Sequence, residues 1–174
     1  MRKLSLLLLL LLILTCACAG CGYHVAGHTT NIPASIQSID VPTFKNETSR
    51  FKVEQQVTAA VVRELLTRTK YKVRASEKIG DADAVLKGTI TGFSSYPVVL
   101  VNGNANALVN VRVKVSLIDQ KTKKVLYENN DLVFRDQYEI SGTAANYFDE
   151  SGPGVDRLSR SLAATLVSGI LSGF

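Results

Sequence analysis

The chain of 174 residues carries 20 Lys and Arg against 15 Asp and Glu, a formal net charge of +5, and no run of Lys or Arg exceeds two residues. That bias is too mild to argue for nucleic acid, and leaves room for an anionic lipid, a glycolipid or an acidic partner. All three cysteines and both histidines fall between positions 16 and 28, so the rest of the chain offers neither thiol nor imidazole for Ser/His/Asp or Cys/His catalysis.

The chain opens with Met1, Arg2 and Lys3, followed by an apolar stretch from Leu4 to Leu14 broken only by Ser5. A basic start and an apolar segment of about eleven residues make a secretory signal, because a spanning helix needs about 20. The next stretch, "CACAGCGYHVAGH", groups Cys16, Cys18, Cys21, His24 and His28. Soft thiolates beside imidazoles suggest zinc or copper, but C-x-C-x-x-C does not match the usual structural zinc spacings.

Ala19 and Gly20 stand immediately before Cys21, as in a lipobox, although Cys18 occupies the position where an aliphatic residue is usual. Cleavage before Cys16 would follow Thr15, and cleavage before Cys18 would follow Ala17, so Cys21 is the preferred lipid-bearing residue. On that reading Cys16 and Cys18 leave with the signal, Cys21 is consumed in a thioether, and no disulfide can form. Cys21 would carry N-acyl and S-diacylglycerol lipid, with no other cofactor expected. Gly22 rather than Asp follows it, which makes delivery to the outer membrane the default, with the protein on the periplasmic side.

Removing residues 1–20 leaves 154 residues with 18 Lys and Arg and 15 acidic residues, a net charge of +3 and a length suited to one domain. The expected division is a signal peptide over 1–20, a lipidated tether over 21–35 and a single α/β domain over 36–174.

"SIQSIDVPTF" alternates as a strand through Ile39 and Val41 until Pro42. "KNETSR" supplies turn and capping residues. In "FKVEQQVTAAVVRELLTRT", Val53, Val57, Ala60, Val61 and Leu65 recur at helical spacing, with Glu64 and Arg68 as an outward i,i+4 pair. "YKVRAS" is a short strand and "EKIGDAD" a turn. "AVLKGTITGF" alternates, with Leu86, Gly88, Ile90 and Gly92 on one side and Lys87, Thr89, Thr91 and Phe93 on the other. "YPVVLVNGNANA" is an apolar burst running into a Gly/Asn-rich loop that extends a hairpin.

"LVNVRVKVSLID" gives the clearest strand, with Val111, Val113, Val115 and Leu117 facing one way and Arg112, Lys114 and Ser116 the other. "DQKTKK" turns it into "VLYENNDLVFRDQYEI", a hairpin with a bulge expected at Asn129 and Asn130. "SGTAANYFDESGPG" is a loop, and Val155, Leu158, Leu162, Leu166 and Ile170 define a second amphipathic helix ending near Gly173.

Strands with one apolar face and two helices with one apolar stripe predict an α+β, two-layer sandwich: both helices on one face of a mostly antiparallel sheet of about four strands. The other face is then open. If the valines of the clearest strand meet the helices, Arg112 and Lys114 lie on the open face with Lys87 beside them, a set of cations suited to phosphate-bearing glycolipid or to a partner wall. Such a face is also what an ordinary solvated sheet presents. Asp81 and Asp83 form a single D-x-D, weak as a metal pair, and no Gly-rich phosphate loop follows a strand.

"CGYHV", "IDVPTFKNETSRFKVEQQVTAAVVREL", "ADAVLKGTITGF" and "VRVKVSLIDQKTKKVLYENNDLVFRDQY", in order from Cys21 to about Tyr138, resemble the LptE family of lipopolysaccharide-assembly lipoproteins. The resemblance implies two helices on a four-stranded sheet, no enzymatic activity, a place inside the lumen of an LptD-like outer-membrane β-barrel, and lipopolysaccharide as cargo. Lipoproteins that activate peptidoglycan synthases and relatives of curli-secretion lipoproteins share a strand ending near "PTFKNET" before a helix. They define the alternative, a periplasmic binding module regulating a synthase or a secretion complex.

Overall fold

The structure, a computed structural model, describes residues 32–76, 80–99, 105–139 and 151–172. Cys21, the signal segment, most of the tether and the loop expected to begin at Ser141, up to residue 150, lie outside the described residues. In chain order the elements are β1 (Ser38–Pro42), β2 (Lys45–Asn46), α1 (Val53–Arg68), β3 (Lys72–Ser76), β4 (Ala84–Val99), β5 (Ala105–Asp119), β6 (Val125–Glu139) and α2 (Ser151–Ser172).

The sheet has six strands ordered β3-β1-β4-β5-β6, with β2 continuing the line of β1 along β4. It is mixed, which corrects the expected, mostly antiparallel sheet of about four strands. β1 pairs parallel with both β3 and β4, while β4, β5 and β6 form an antiparallel meander. The reason is the helix between β1 and β3: a chain that crosses over through a helix re-enters the sheet in the direction it left.

Both helices lie on one face. α1 packs over β1, β2 and β3, α2 over β5 and β6, and the two helices pack against each other. Val53, Val57, Val61 and Leu65 of α1 and Val155, Leu158, Leu162, Leu166 and Ile170 of α2 are buried in one core with Val109, Val111, Val113, Val115 and Leu117 of β5. The helical stripes and the β5 alternation are therefore as expected. α2 starts at Ser151, earlier than expected, with Pro153 in its first turn, where a missing N–H costs no intrahelical bond.

The start of α1 departs from the usual capping pattern. Its N-cap is Lys52, left-handed at φ 63° and without a side-chain cap. The polar residues before it serve a different purpose: Asn46 accepts from the backbone N–H and hydroxyl of Thr48 and donates to the Arg50 carbonyl and the Glu54 carboxylate. Phe44 sits above Gly88 so closely that a Cβ there would lie 2.3 Å from its ring carbons, and its N–H donates to the Thr58 hydroxyl at 2.9 Å. Arg68 pairs with Glu64 as expected, and also bridges the helices by donating to the Ala164 carbonyl and the Ser168 hydroxyl.

β4 runs on through the apolar burst "YPVV" to Val99 and β5 begins at Ala105, while most of the Gly/Asn-rich loop expected between them, residues 100–104, lies outside the described residues. A register shift between Ile90 and Gly92 changes the second half of β4. Gly92 pairs with Arg112 and Phe93 with Val111, so Phe93 lies on the helix side and Gly92 on the open side, the reverse of simple alternation. Arg50 stacks on Phe93 with its guanidinium carbon 5.5 Å from the ring centre. The expected bulge near Asn129 and Asn130 is present: Val113 pairs with Leu132 and Val115 with Asn129, leaving one extra residue on β6.

Candidate functional site

The face away from the helices is closed at one corner. Asp40 points that way from β1, is fully buried, and accepts from Arg74 Nε at 3.0 Å and the Gly80 N–H at 2.7 Å. Asp83 accepts from the Gln37 and Ser38 N–H groups, the Ser38 hydroxyl and Lys121 Nζ. The Ser38 hydroxyl, then the Gln37 N–H and Lys121, hold its carboxyl at about 2, against the opposing effect of burial. Asp119 is lowered as well, chiefly by the Thr122 N–H it accepts in the β5–β6 turn. Asp83 is thus consumed in tying the start of β1 to that turn, and among the described residues no group of three His, Cys, Asp or Glu side chains could hold a metal.

Beyond that corner, β4, β5 and β6 present a bare face, and the three expected cations meet there. Lys87, Arg112 and Lys114 are all exposed. Register puts Thr89 opposite Lys114 and Ser116 opposite Lys87, so the two lysines are diagonal neighbours on adjacent strands, flanked by hydroxyls. They border a shallow concavity of 220 Å³ shared with Glu128 and Asn130 of β6. Arg112 stands two residues further along β5 and pairs with Asp131 at 3.1 Å across an exposed contact, which restrains it only weakly.

A second, larger concavity of 530 Å³ lies toward the β4–β5 hairpin tip, lined by Tyr96, Leu108, Asn110, Arg112, Val133 and Arg135. Of these, sequence reasoning named only Arg112. Arg135 faces Asn110 across the ladder, and Val133 faces Arg112. Val133, Arg135 and Gln137 alternate, but bulges in β4 and β6 change the phase, so counting outward from Lys87 or Glu128 assigns the wrong face. Among the described residues Lys87, Lys114 and Arg135 make no ion pair. No helix among them is long and apolar enough to cross a membrane.

The family model for LptE, lipopolysaccharide-assembly, matches residues 36–171. The chain belongs to the LptE family. No curated protein matches it in sequence. In fold it is similar to a Caulobacter crescentus chain assigned as a lipoprotein, at TM-score 0.52 and 12% identity over 75% of this chain and 88% of that one. PelC, a dodecamer from Paraburkholderia phytofirmans, gives 0.50 and 17% over 80% and 91%. Lipoprotein B from Nitrosomonas europaea gives 0.50 and 12% over 87% and 91%. At these identities the likeness is one of fold alone. The LptE match extends over both helices and the sheet, and so includes the open face with its cations.

Proposed function

We propose that this LptE-family chain is an outer-membrane lipoprotein, anchored through lipid on Cys21, that plugs and supports an LptD-type β-barrel during lipopolysaccharide insertion into the outer leaflet. The observation that carries the reading is an LptE-family domain whose helices cover only one sheet face, leaving Lys87, Arg112, Lys114 and Arg135 together on the other. Fixed cations flanked by hydroxyls suit phosphate groups, and a rigid sheet suits a wall that must pack without closing on itself. The role is non-catalytic. The carboxylates that close the corner of that face, Asp40 and Asp83, are held in structural contacts.

The test is a mild-detergent pull-down of the full-length lipoprotein from its native outer membrane, followed by mass spectrometry. Recovery of a large β-barrel at near-equal amount is the expected result. Recovery of a peptidoglycan synthase or a secretion complex instead would replace the plug reading with that of a periplasmic regulatory module.

A further inference from the structure

β3 is an edge strand: it pairs parallel with β1 and, among the described residues, with nothing on its other side. The Lys72 N–H donates to the Gln37 carbonyl at 2.9 Å, on the β1 side. Backbone groups of successive strand residues alternate in direction, so the N–H and C=O groups of Val73 and Ala75 point outward from the sheet. Their side chains face the helix layer. Val73 packs against the core, and Ala75 lines a concavity of 490 Å³ with Ala59, Val62, Arg63 and Leu66 of α1. Leu66 is 54% exposed there. The hydroxyls of Thr58 and Thr67 in the same wall donate to the Glu54 and Arg63 carbonyls of their own helix, which leaves an apolar floor. Lys72 and Arg74 project from the opposite side of β3, both exposed. Arg74 donates from Nε to Asp40, whereas Lys72 and Arg63 make no ion pair among the described residues, and no described carboxylate lines the groove.

We propose that the β3 edge and the adjoining α1 groove bind an extended, acidic segment of a partner polypeptide by strand addition, with its apolar side chains over Ala59, Val62 and Leu66 and its carboxylates on Lys72 and Arg74. This surface lies at the opposite end of the strand order from β6, and its use does not depend on the plug reading. The backbone supplies the pairing: Val73 and Ala75 each offer a donor and an acceptor, at the two-residue spacing that an added strand satisfies. Side chains of that strand alternate between the two layers. The groove therefore selects apolar residues at every second position, and the cations select Asp or Glu between them. Short length and basic side chains also guard an edge against self-pairing, and they argue against a second copy as the occupant. Antiparallel pairing of β3 with itself about Arg74 would set two guanidinium groups side by side, each with its own Asp40 already engaged and no further carboxylate from β3 to meet them. Guarding alone does not account for the groove, where Ala59, Val62, Leu66 and Ala75 form one apolar strip beside the free backbone groups.

The test uses the full lipidated chain in detergent micelles and, as probe, a fluorescein-labelled peptide of alternating Glu and Val, capped at both ends. Its controls are the Lys/Val counterpart and a Glu/Val peptide N-methylated throughout, which keeps the side chains but has no N–H to donate. Fluorescence anisotropy should rise with the Glu/Val peptide and stay flat with both controls, while amide exchange slows at Val73 and Ala75. Ala75→Pro removes an outward N–H that no bond within the sheet uses, a position where an edge strand tolerates proline. It should weaken the Glu/Val peptide at least about ten-fold with circular dichroism and melting temperature unchanged. Leu66→Asp, at an exposed position in the groove, and Lys72→Glu should each weaken it by a similar factor. Equal binding of either control peptide, unchanged exchange at Val73 and Ala75, or no binding of the Glu/Val peptide at millimolar concentration overturns strand addition. A micellar dimer that Ala75→Pro dissociates would assign the edge to a second copy and overturn it as well. If Ala75→Pro unfolds the chain, the N-methylated peptide and Leu66→Asp decide the question on folded protein.

Discussion

Gly88 shows how a single residue decides the packing of this domain. The Phe44 ring occupies the volume a side chain would need, with a hypothetical Cβ only 2.3 Å from two of its carbons. Phe44 is 2% exposed and wedged in the core, so the ring cannot swing into solvent. Gly88→Ala should therefore destabilise the fold by about 1–3 kcal/mol, the usual cost of overpacking, measured as a lower urea midpoint at unchanged slope. Asp83 gives the pH counterpart. Its folded carboxyl lies at about 2 against an ordinary 3.8, so its contribution is present in full above about pH 4 and lost as pH falls toward 2. Asp83→Asn should lower the urea midpoint near neutrality, and the gap to the wild type should narrow across that acid window; a gap constant with pH would show that the carboxylate charge is not what ties β1 to the β5–β6 turn.

At the scale of elements, α1 is fastened to the sheet by one hydroxyl as well as by its apolar stripe. Thr58 donates to the Glu54 carbonyl at 2.6 Å and accepts from the Phe44 N–H at 2.9 Å, in a buried position between β1 and β2. Thr58→Val keeps the shape but orphans a buried N–H, and should cost about 1–3 kcal/mol in chemical denaturation. Thr58→Ser, which keeps the acceptor, should recover most of that loss. The helical stripes and the β5 alternation were legible from spacing because each element is long and has one buried face. The β4 bulge was not legible: Gly92 and Phe93 swap faces because Thr91 is skipped in the ladder, and local composition carries no signal for that shift.

For the whole molecule, two helices cover a sheet on one side only, which leaves a cation-bearing face on a domain proposed to be membrane-anchored. The anchor can be tested apart from the face. Cys21→Ala should abolish acyl labelling of the chain and release it from the outer-membrane fraction, while the domain over 36–171 keeps its circular dichroism and melting temperature. Persistent labelling would move the anchor to Cys16 or Cys18. The PelC-like and lipoprotein-like folds at TM-scores of 0.50 to 0.52 share this two-layer plan, so the plan alone does not select a partner. Selection must come from what the open face presents.

By itself, the sequence determined the apolar start and cysteine cluster that motivate a lipid anchor, the periodicities that make two helices and the long strands, and the side of β5 on which Arg112 and Lys114 stand. These are local properties, written in spacings of two and of three to four residues. Only the tertiary structure decided that β1 and β3 run parallel at one edge, that Gly80 and Asp83 close a corner of the open face, and that Tyr96, Leu108, Val133 and Arg135 share one groove. The physical reason is register. Three register shifts, one between β4 and β5 and two between β5 and β6, change which residues oppose one another, and pairing across strands is set by the whole sheet settling against its helices rather than by any strand alone.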